Sequence, residues 1–532
     1  MSADPAIDLL TTGKTKLEVK CSVAIVGAGA AGIYLGVQLA SRGVEVVLLE
    51  AGGLVCGTAA EVGFEALFPG DTYRGATEGR AFGLGGTTSR WGGLLIPHSN
   101  GDSRDPKNLN RSAWQEILRA TTENSDRVMK TLGFAGPPRF VEFAIDKLGL
   151  AGTELNAAGF GSQASLFLPA RRKNLAFLLK GKSPSRSRLQ VYTNAVCCSW
   201  RIEEGSESGG TALVELEAKA SNGNRLVVTA GRFVLAAGAI ECARILLEMN
   251  ATAARPVVRH SAEVGCSLSD HLSASIADVE ETGLDTAVNL FAPRFKGSWM
   301  RSFRLLEKDS PASAPRAFAH FIFENTDPGF LLAKQVLGSI QARRWPAVSG
   351  AQLVAGVGGL MSLAGARYLR SRLHVPRGTR SHLQLDIEQE PCLDNRVGLA
   401  DERDRFGRQR AVVNWKIRAN DTDNIRATAD RILSKWPGTK AGLPGLIPRG
   451  IGDASSKPHD SYHPVGTCRM GNDPGAVVDF NLKAWGARNL WVVSTGVLPS
   501  AGTANPTFTM LCLAETLAGH LLGGRGTEGL RT

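Results

Sequence analysis

The 532 residues carry 61 lysines and arginines against 50 aspartates and glutamates, a formal net charge of +11, with 43% hydrophobic residues and 61 glycines. That length exceeds one compact core and suggests two domains, and the hydrophobic share excludes a disordered chain in favour of a turn-rich α/β fold. The basic surplus is mostly arginine scattered as at Arg171, Arg172, Arg343, Arg344, Arg367 and Arg370, without an aromatic-interleaved repeat or zinc-finger spacing, so no nucleic-acid partner is expected.

Residues 1–20 lack a basic start followed by an apolar stretch, so no secretory signal is expected. The nine cysteines are single apart from Cys197 and Cys198, and neighbouring cysteines seldom close a strain-free disulfide. Buried thiols in a reducing, cytoplasmic compartment are the expectation.

Residues 21–26 are apolar and β-branched, and run into Gly27-Ala28-Gly29-Ala30-Ala31-Gly32. A helical pattern through Ile33, Val37 and Ala40 stops at Gly43, and a second apolar run, 46–49, ends at Glu50-Ala51. This is a βαβ unit of dinucleotide-binding length. Gly27 lets the chain turn, Gly29 lets backbone approach a pyrophosphate, and Gly32 lets helix and strand pack closely. The helix start offers free N–H groups to phosphate. Glu50 is placed to accept from both ribose hydroxyls and disfavours a 2′-phosphate.

Residues 83–93, Gly-Leu-Gly-Gly-Thr-Thr-Ser-Arg-Trp-Gly-Gly, suggest backbone pressed against a flat ligand. Alternation predicts strands at 383–388 and 411–416. Residues 345–366 carry no charge for 22 positions between Arg344 and Arg367. Five glycines, Pro346, Ser349 and Gln352 dilute their hydropathy, so a buried or surface-docking helix is expected rather than a membrane span.

Near the C-terminus stand His463-Pro-Val-Gly-Thr-Cys-Arg-Met-Gly471 and, 42 positions on, Asn505-Pro506-Thr507. Imidazole is the side chain best suited to accept a hydroxyl proton near neutral pH. An amide N–H can hold a developing alkoxide without competing for that proton. His459, flanked by Pro458 and Asp460, is the rival base in what reads as a solvated loop. His271, in Ser-Asp-His, reads as a structural strand end. No His/Cys/Asp cluster has metal spacing, and the hydrolase elbow Gly-x-Ser-x-Gly is absent. Residues 508–522 have helical spacing.

With these motifs in order, the chain resembles the glucose–methanol–choline (GMC) oxidoreductases, flavoenzymes that oxidise alcohols. The resemblance is strongest at 23–52, 83–93, 236–239 and 462–510, with Glu388-Gln-Glu-Pro391 and Asp394-Asn-Arg-Val397 between. It implies a Rossmann-like FAD-binding domain from 20–100, 188–275 and 455–525. A smaller α+β substrate domain on an antiparallel sheet would come from 101–187 and 276–454, in a p-hydroxybenzoate-hydroxylase-like architecture, with 1–19 an N-terminal extension. FAD would meet Gly85, Gly86, Thr87, Trp91 and Gly92 at its ring. A strand spanning 189–197 would bring Cys197 to the adenine, and Ala237 and Gly238 would lie close by. Gly496, Asn505, Pro506 and Thr507 would reach the ribityl and pyrimidine side. His463 would be the general base and Asn505 its hydrogen-bonding companion.

Arg90 stands where covalently flavinylated members have histidine, which implies dissociable FAD. Residues 493–496 read Val-Ser-Thr-Gly where many members carry an aspartate. The resemblance further implies a small-molecule alcohol, first a sugar, glycoside or polyol, and an electron acceptor such as dioxygen or a quinone. A lipophilic alcohol admitted under a greasy lid at 330–370, or redox-neutral lyase chemistry, are the alternatives.

Overall fold

The computed structural model describes residues 6–103, 110–134, 148–180, 187–205, 210–453 and 456–523. Two large sheets organise them. The first has eight strands, with spatial order Ala6–Asp8, Leu189–Thr193, Val46–Leu49, Lys16–Val26, Arg225–Leu235, Thr211–Lys219 and Val196–Glu204, while Leu490–Val492 pairs with Arg225–Leu235. The pairings from Ala6–Asp8 through Arg225–Leu235 are parallel, as is that of Leu490–Val492. Parallel strands need both faces covered, which explains Val46–Leu49 being buried at every position. The helix Ala30–Ser41 lies against the sheet, and the C-terminal helix Pro506–Gly523 packs on it and on the helix Arg111–Thr131.

The second sheet has nine strands with antiparallel pairings. Its main path runs Leu446–Pro448, His271–Val279, Ser381–Glu388, Ala317–Phe323, Trp299–Glu307, Phe160–Phe167 and Leu94–Leu95. His459–Asp460 pairs with His271–Val279, setting Leu272 opposite Asp460. Leu383 and Leu385 of the expected 383–388 strand are wholly buried between neighbours, with alternate residues less so. The expected 411–416 strand forms as Gln409–Asn414, in a separate ribbon with Arg396–Arg403.

The structure departs from the sequence reading at several points, among them Leu94–Leu95, expected in the dinucleotide-binding part but paired in the second sheet. Residues 6–8 and 16–19 belong to the first sheet instead of an extension, because their backbones complete its ladder. His271–Val279 and His459–Asp460, expected in the dinucleotide-binding part, pair in the second sheet. The single strand expected over 189–197 is two strands, broken where Asn194 takes a φ of 52°. The flanks of His459 are not a solvated loop: Pro458 and Asp460 are buried, although His459 itself is exposed.

The uncharged segment forms the helix Gly350–Leu369, capped by Ser349 and Gln352, and pairs with the helix Pro328–Gln341. Glycine makes the pairing close: a Cβ on Gly329 would lie 2.3 Å from the Leu360 nitrogen. Burial of this helix, one of the two expected outcomes, is overturned, since only Gly356 and Ala366 are buried. Among the described residues no helix is long and apolar enough to cross a membrane.

Candidate active site

The strands Lys16–Val26, Val46–Leu49, Arg225–Leu235 and Leu490–Val492 end together, and the cavity of about 440 Å³ opens beyond their carboxyl ends. Ligands of parallel α/β sheets bind at such ends because the connecting turns converge there. Gly27, Gly29, Ala30, Ala31, Glu50, Ala51, Gly86, Thr87, Arg90, Trp91, Gly92, Cys197, Ala237, Gly238, His463 and Thr507 all line it.

The glycines divide into two kinds. Gly27 has a φ of +104°, and a Cβ on Gly32 would sit 1.9 Å from the Gly27 carbonyl oxygen, so both are required by the turn itself. Gly29 and Gly92 line the cavity without a positive φ, and a Cβ on either would meet nothing within 4 Å, whereas Gly238, also on the wall, is required by its own φ of +83°. The bare backbone of Gly29 and Gly92 is therefore surface kept clear for something else. This cradle beside a free helix start suits a dinucleotide, and the residues present fit one.

Glu50 is buried, and burial raises its carboxyl to about 7 against the hydrogen bonds that favour its charge. One oxygen accepts from the Ala28 N–H at 2.8 Å, and the other from Gly52 and Gly83 at 3.0 and 2.8 Å. The expected pair of ribose contacts must share this carboxylate, which already ties the first glycine turn to the second. Trp91 is fixed by its indole N–H donating to Lys173 O at 2.7 Å.

Gly85, Gly496 and Pro506 stand behind the cavity wall. A Cβ on Gly85 would strike the Asn174 side chain, and one on Gly496 would lie 2.5 Å from Thr467 Oγ1. Pro506 opens the buried C-terminal helix, whose neighbour Asn505 faces His463.

A chain of four polar side chains meets at His463. His271 Nε2 lies 2.8 Å from Gly502 O, His271 Nδ1 lies 3.0 Å from His463 Nδ1, and Asn505 Nδ2 lies 3.2 Å from His463 Nε2. Arg304 donates to Asn505 Oδ1 and, at 2.6 Å, to Thr503 O. These contacts fix every proton. A carbonyl can only accept, so His271 carries its proton on Nε2 and offers the Nδ1 lone pair. Guanidinium can only donate, so Asn505 turns its oxygen to Arg304 and its N–H to His463. Read from either end, His463 is protonated on Nδ1 and keeps a lone pair on Nε2.

Burial, then the neighbouring His271 and Arg304, push the His463 imidazole down to about 3. Burial holds His271 at about 4. Both rings are thus neutral at physiological pH. Asp270 fixes the backbone beneath them by accepting from the His271 N–H at 2.7 Å, the His463 N–H at 2.9 Å and the Tyr73 hydroxyl. Tyr462, just before His463, is held at a φ of 63°, a region costly for a large side chain and found where a site over-determines its backbone.

Sequence spacing showed no metal cluster, yet Asp270, His271 and His463 bring ligand-type atoms within 4.8 Å of one another. Their hydrogen bonds account for the grouping without a cation. His271, read as a structural strand end, is in direct contact with His463 through the pairing of Leu272 with Asp460. Its Ser-Asp-His context was the visible signal. Arg304, on the strand Trp299–Glu307 and 201 positions from Asn505, left none.

A cavity that suits a dinucleotide lies beside a neutral imidazole, and residues 25–86 match the NAD(P)-binding Rossmann-like domain model. Residues 391–514 match the GMC oxidoreductase model. The chain is similar to 6'''-hydroxyparomomycin C oxidase of Streptomyces lividus, 34% identical over 27% of each chain. Paromamine 6'-oxidase of Streptomyces fradiae is 33% identical over 31% of this chain and 30% of its own. Alcohol dehydrogenase [acceptor] of Pseudomonas putida is 41% identical over 13% of this chain and 12% of its own. The matched segments thus span less than a third of these relatives. Pyridoxine 4-oxidase from Mesorbium loti has a similar fold, with a TM-score of 0.56 at 17% identity over 94% of this chain and 99% of that one.

Proposed function

We propose that the protein oxidises an alcohol CH–OH to a carbonyl with FAD bound in the glycine-lined cavity. The observation carrying this reading is the Nε2 lone pair of neutral His463, 3.2 Å from the Asn505 N–H. FAD, when bound, supplies the hydride acceptor. His463 Nε2 takes the hydroxyl proton, a role commonly worth about 10²–10⁴-fold in rate. The Asn505 N–H holds the alkoxide as it forms, and Arg304 keeps that amide from turning over. His271 stabilises the imidazole's Nδ1–H tautomer by accepting from it.

FAD would rest on Gly29, Gly92, Gly238 and the start of the helix Ala30–Ser41, and Arg90 at the position of the covalent histidine supports dissociable binding. Trichloroacetic acid should therefore release all yellow colour into the supernatant, and colour retained in the precipitate would refute it. His463→Ala should retain the FAD spectrum but lose anaerobic flavin reduction by at least about 10²-fold. An unchanged single-turnover rate would move the base elsewhere.

The favoured substrate is a sugar, glycoside or polyol-type secondary alcohol. Support comes from Ser461 on the cavity wall, whose hydroxyl bonds Ser273 and Asp386, and from relatives named as oxidases of paromamine and hydroxyparomomycin. A lipophilic alcohol is the second reading, supported by the exposed apolar helix Gly350–Leu369, whose partner helix Pro328–Gln341 reaches the cavity wall through Gln341. A panel of both alcohol classes, assayed with oxygen, quinone and dye acceptors, separates them. Substrate turnover without bleaching near 450 nm would instead support redox-neutral chemistry.

A further inference from the structure

We propose that the paired helices Pro328–Gln341 and Gly350–Leu369 form a membrane-docking element that lies in the interface of an anionic lipid surface without crossing it. Val354, Val357, Met361 and Tyr368 recur at helical spacing on one face, and Val354 is 79% exposed, Met361 71% and Tyr368 82%. Trp345, in the turn between the helices, is 96% exposed, and Leu369 at the far end is 85% exposed. Exposed apolar area concentrated this way marks an interaction surface.

Charge selects the partner. From 328 to 385 there is no aspartate or glutamate, while Lys334, Arg343, Arg344, Arg367, Arg370, Arg372, Arg377 and Arg380 fall in the same stretch. Arg343 and Arg344 precede the exposed face and Arg367 and Arg370 close it. An apolar helix face bracketed by cations, with an aromatic ring at its end, is the chemistry of a helix in the headgroup region of an anionic bilayer. A protein partner of matching shape would not require the complete exclusion of acids.

The element is joined to the cavity. Gln341 donates to Thr88 O at 3.0 Å and Trp91 O at 2.8 Å, both residues of the cavity wall, and Arg344 donates to Cys56 O at 2.9 Å. Docking would thus bring the cavity beside the lipid surface. This inference does not depend on the proposed reaction.

The test is flotation of the full chain with phosphatidylcholine vesicles, with and without phosphatidylglycerol. The chain should float with the mixed vesicles and less with phosphatidylcholine alone, and added salt should weaken binding. Val354→Glu with Met361→Glu should leave the melting temperature unchanged and abolish flotation. Arg370→Gln should raise the lipid needed for half-binding about fivefold. No flotation, flotation untouched by the double variant, or equal binding to both vesicles regardless of salt would overturn the proposal. A dimer that the double variant splits, with no vesicle binding, would assign the face to a second copy and overturn it equally.

Discussion

Arg304 is the residue on which the order of the site turns. It is buried over the Phe318 ring at 3.7 Å, and burial lowers its pKa to about 9. Without it the Asn505 amide gains a second orientation, in which an oxygen opposes the alkoxide. Arg304→Gln should therefore reduce flavin reduction by about tenfold, short of the ~10²–10³-fold typical of losing a donor outright, while FAD affinity is unchanged. Equal loss of FAD binding would mean a merely structural role. The depressed His463 pKa makes a second prediction, since protonation destroys the base. The acid limb of kcat/KM should fall well below 6.5, the ordinary histidine value, toward about 3. Stability has the same sign. The unfolded ring takes a proton near 6.5 and the folded ring resists, so its contribution, complete above 6.5, is lost as pH falls toward 3. His463→Gln should flatten the change of melting temperature across that window. His463 and Asn505 were legible because each sits in a short motif. Arg304 and His271 act on them through strand pairing, which local spacing does not encode.

Among the elements, the fingerprint turn separates backbone necessity from ligand clearance. Gly32→Ala forces a methyl into the Gly27 carbonyl and should cost about 1–3 kcal/mol of stability, measured by denaturant unfolding. Gly29→Ala meets no protein atom, so stability should hold while FAD affinity drops in equilibrium titration. If both variants behaved alike, the distinction would be lost. The βαβ unit was readable because its glycines, its apolar runs and Glu50 all bear on one local fold. Glu50 was only half readable: its acidity suggested ribose contacts, whereas its bond to Gly83 depends on a loop 33 residues away. The helix Gly350–Leu369 was readable as a helix, but the choice between burial and surface docking stayed open, because an apolar composition suits a core and an interface equally.

At the scale of the whole molecule, the first sheet draws neighbours from opposite ends of the chain, setting Lys16–Val26 beside Arg225–Leu235 and Leu490–Val492 beside the latter. The order of the motifs that carry the family resemblance made this discontinuity legible in outline. Exact membership of 6–8, 271–279 and 459–460 was not, since pairing partners lie far along the sequence. That layout has a consequence for how the protein comes into being. The glycine turn leaves the ribosome early, but Val493, Ser494 and Thr507, which line the same cavity, emerge more than 440 residues later. At ordinary synthesis rates that delay is about 20–90 s. Ribosome-stalled chains ending before residue 490 should fail to retain flavin, and full-length released chains should capture it. Coenzyme uptake would then wait on synthesis of the segment that closes the cavity, and scarcity of flavin would leave the newest molecules, not the oldest, exposed to proteolysis.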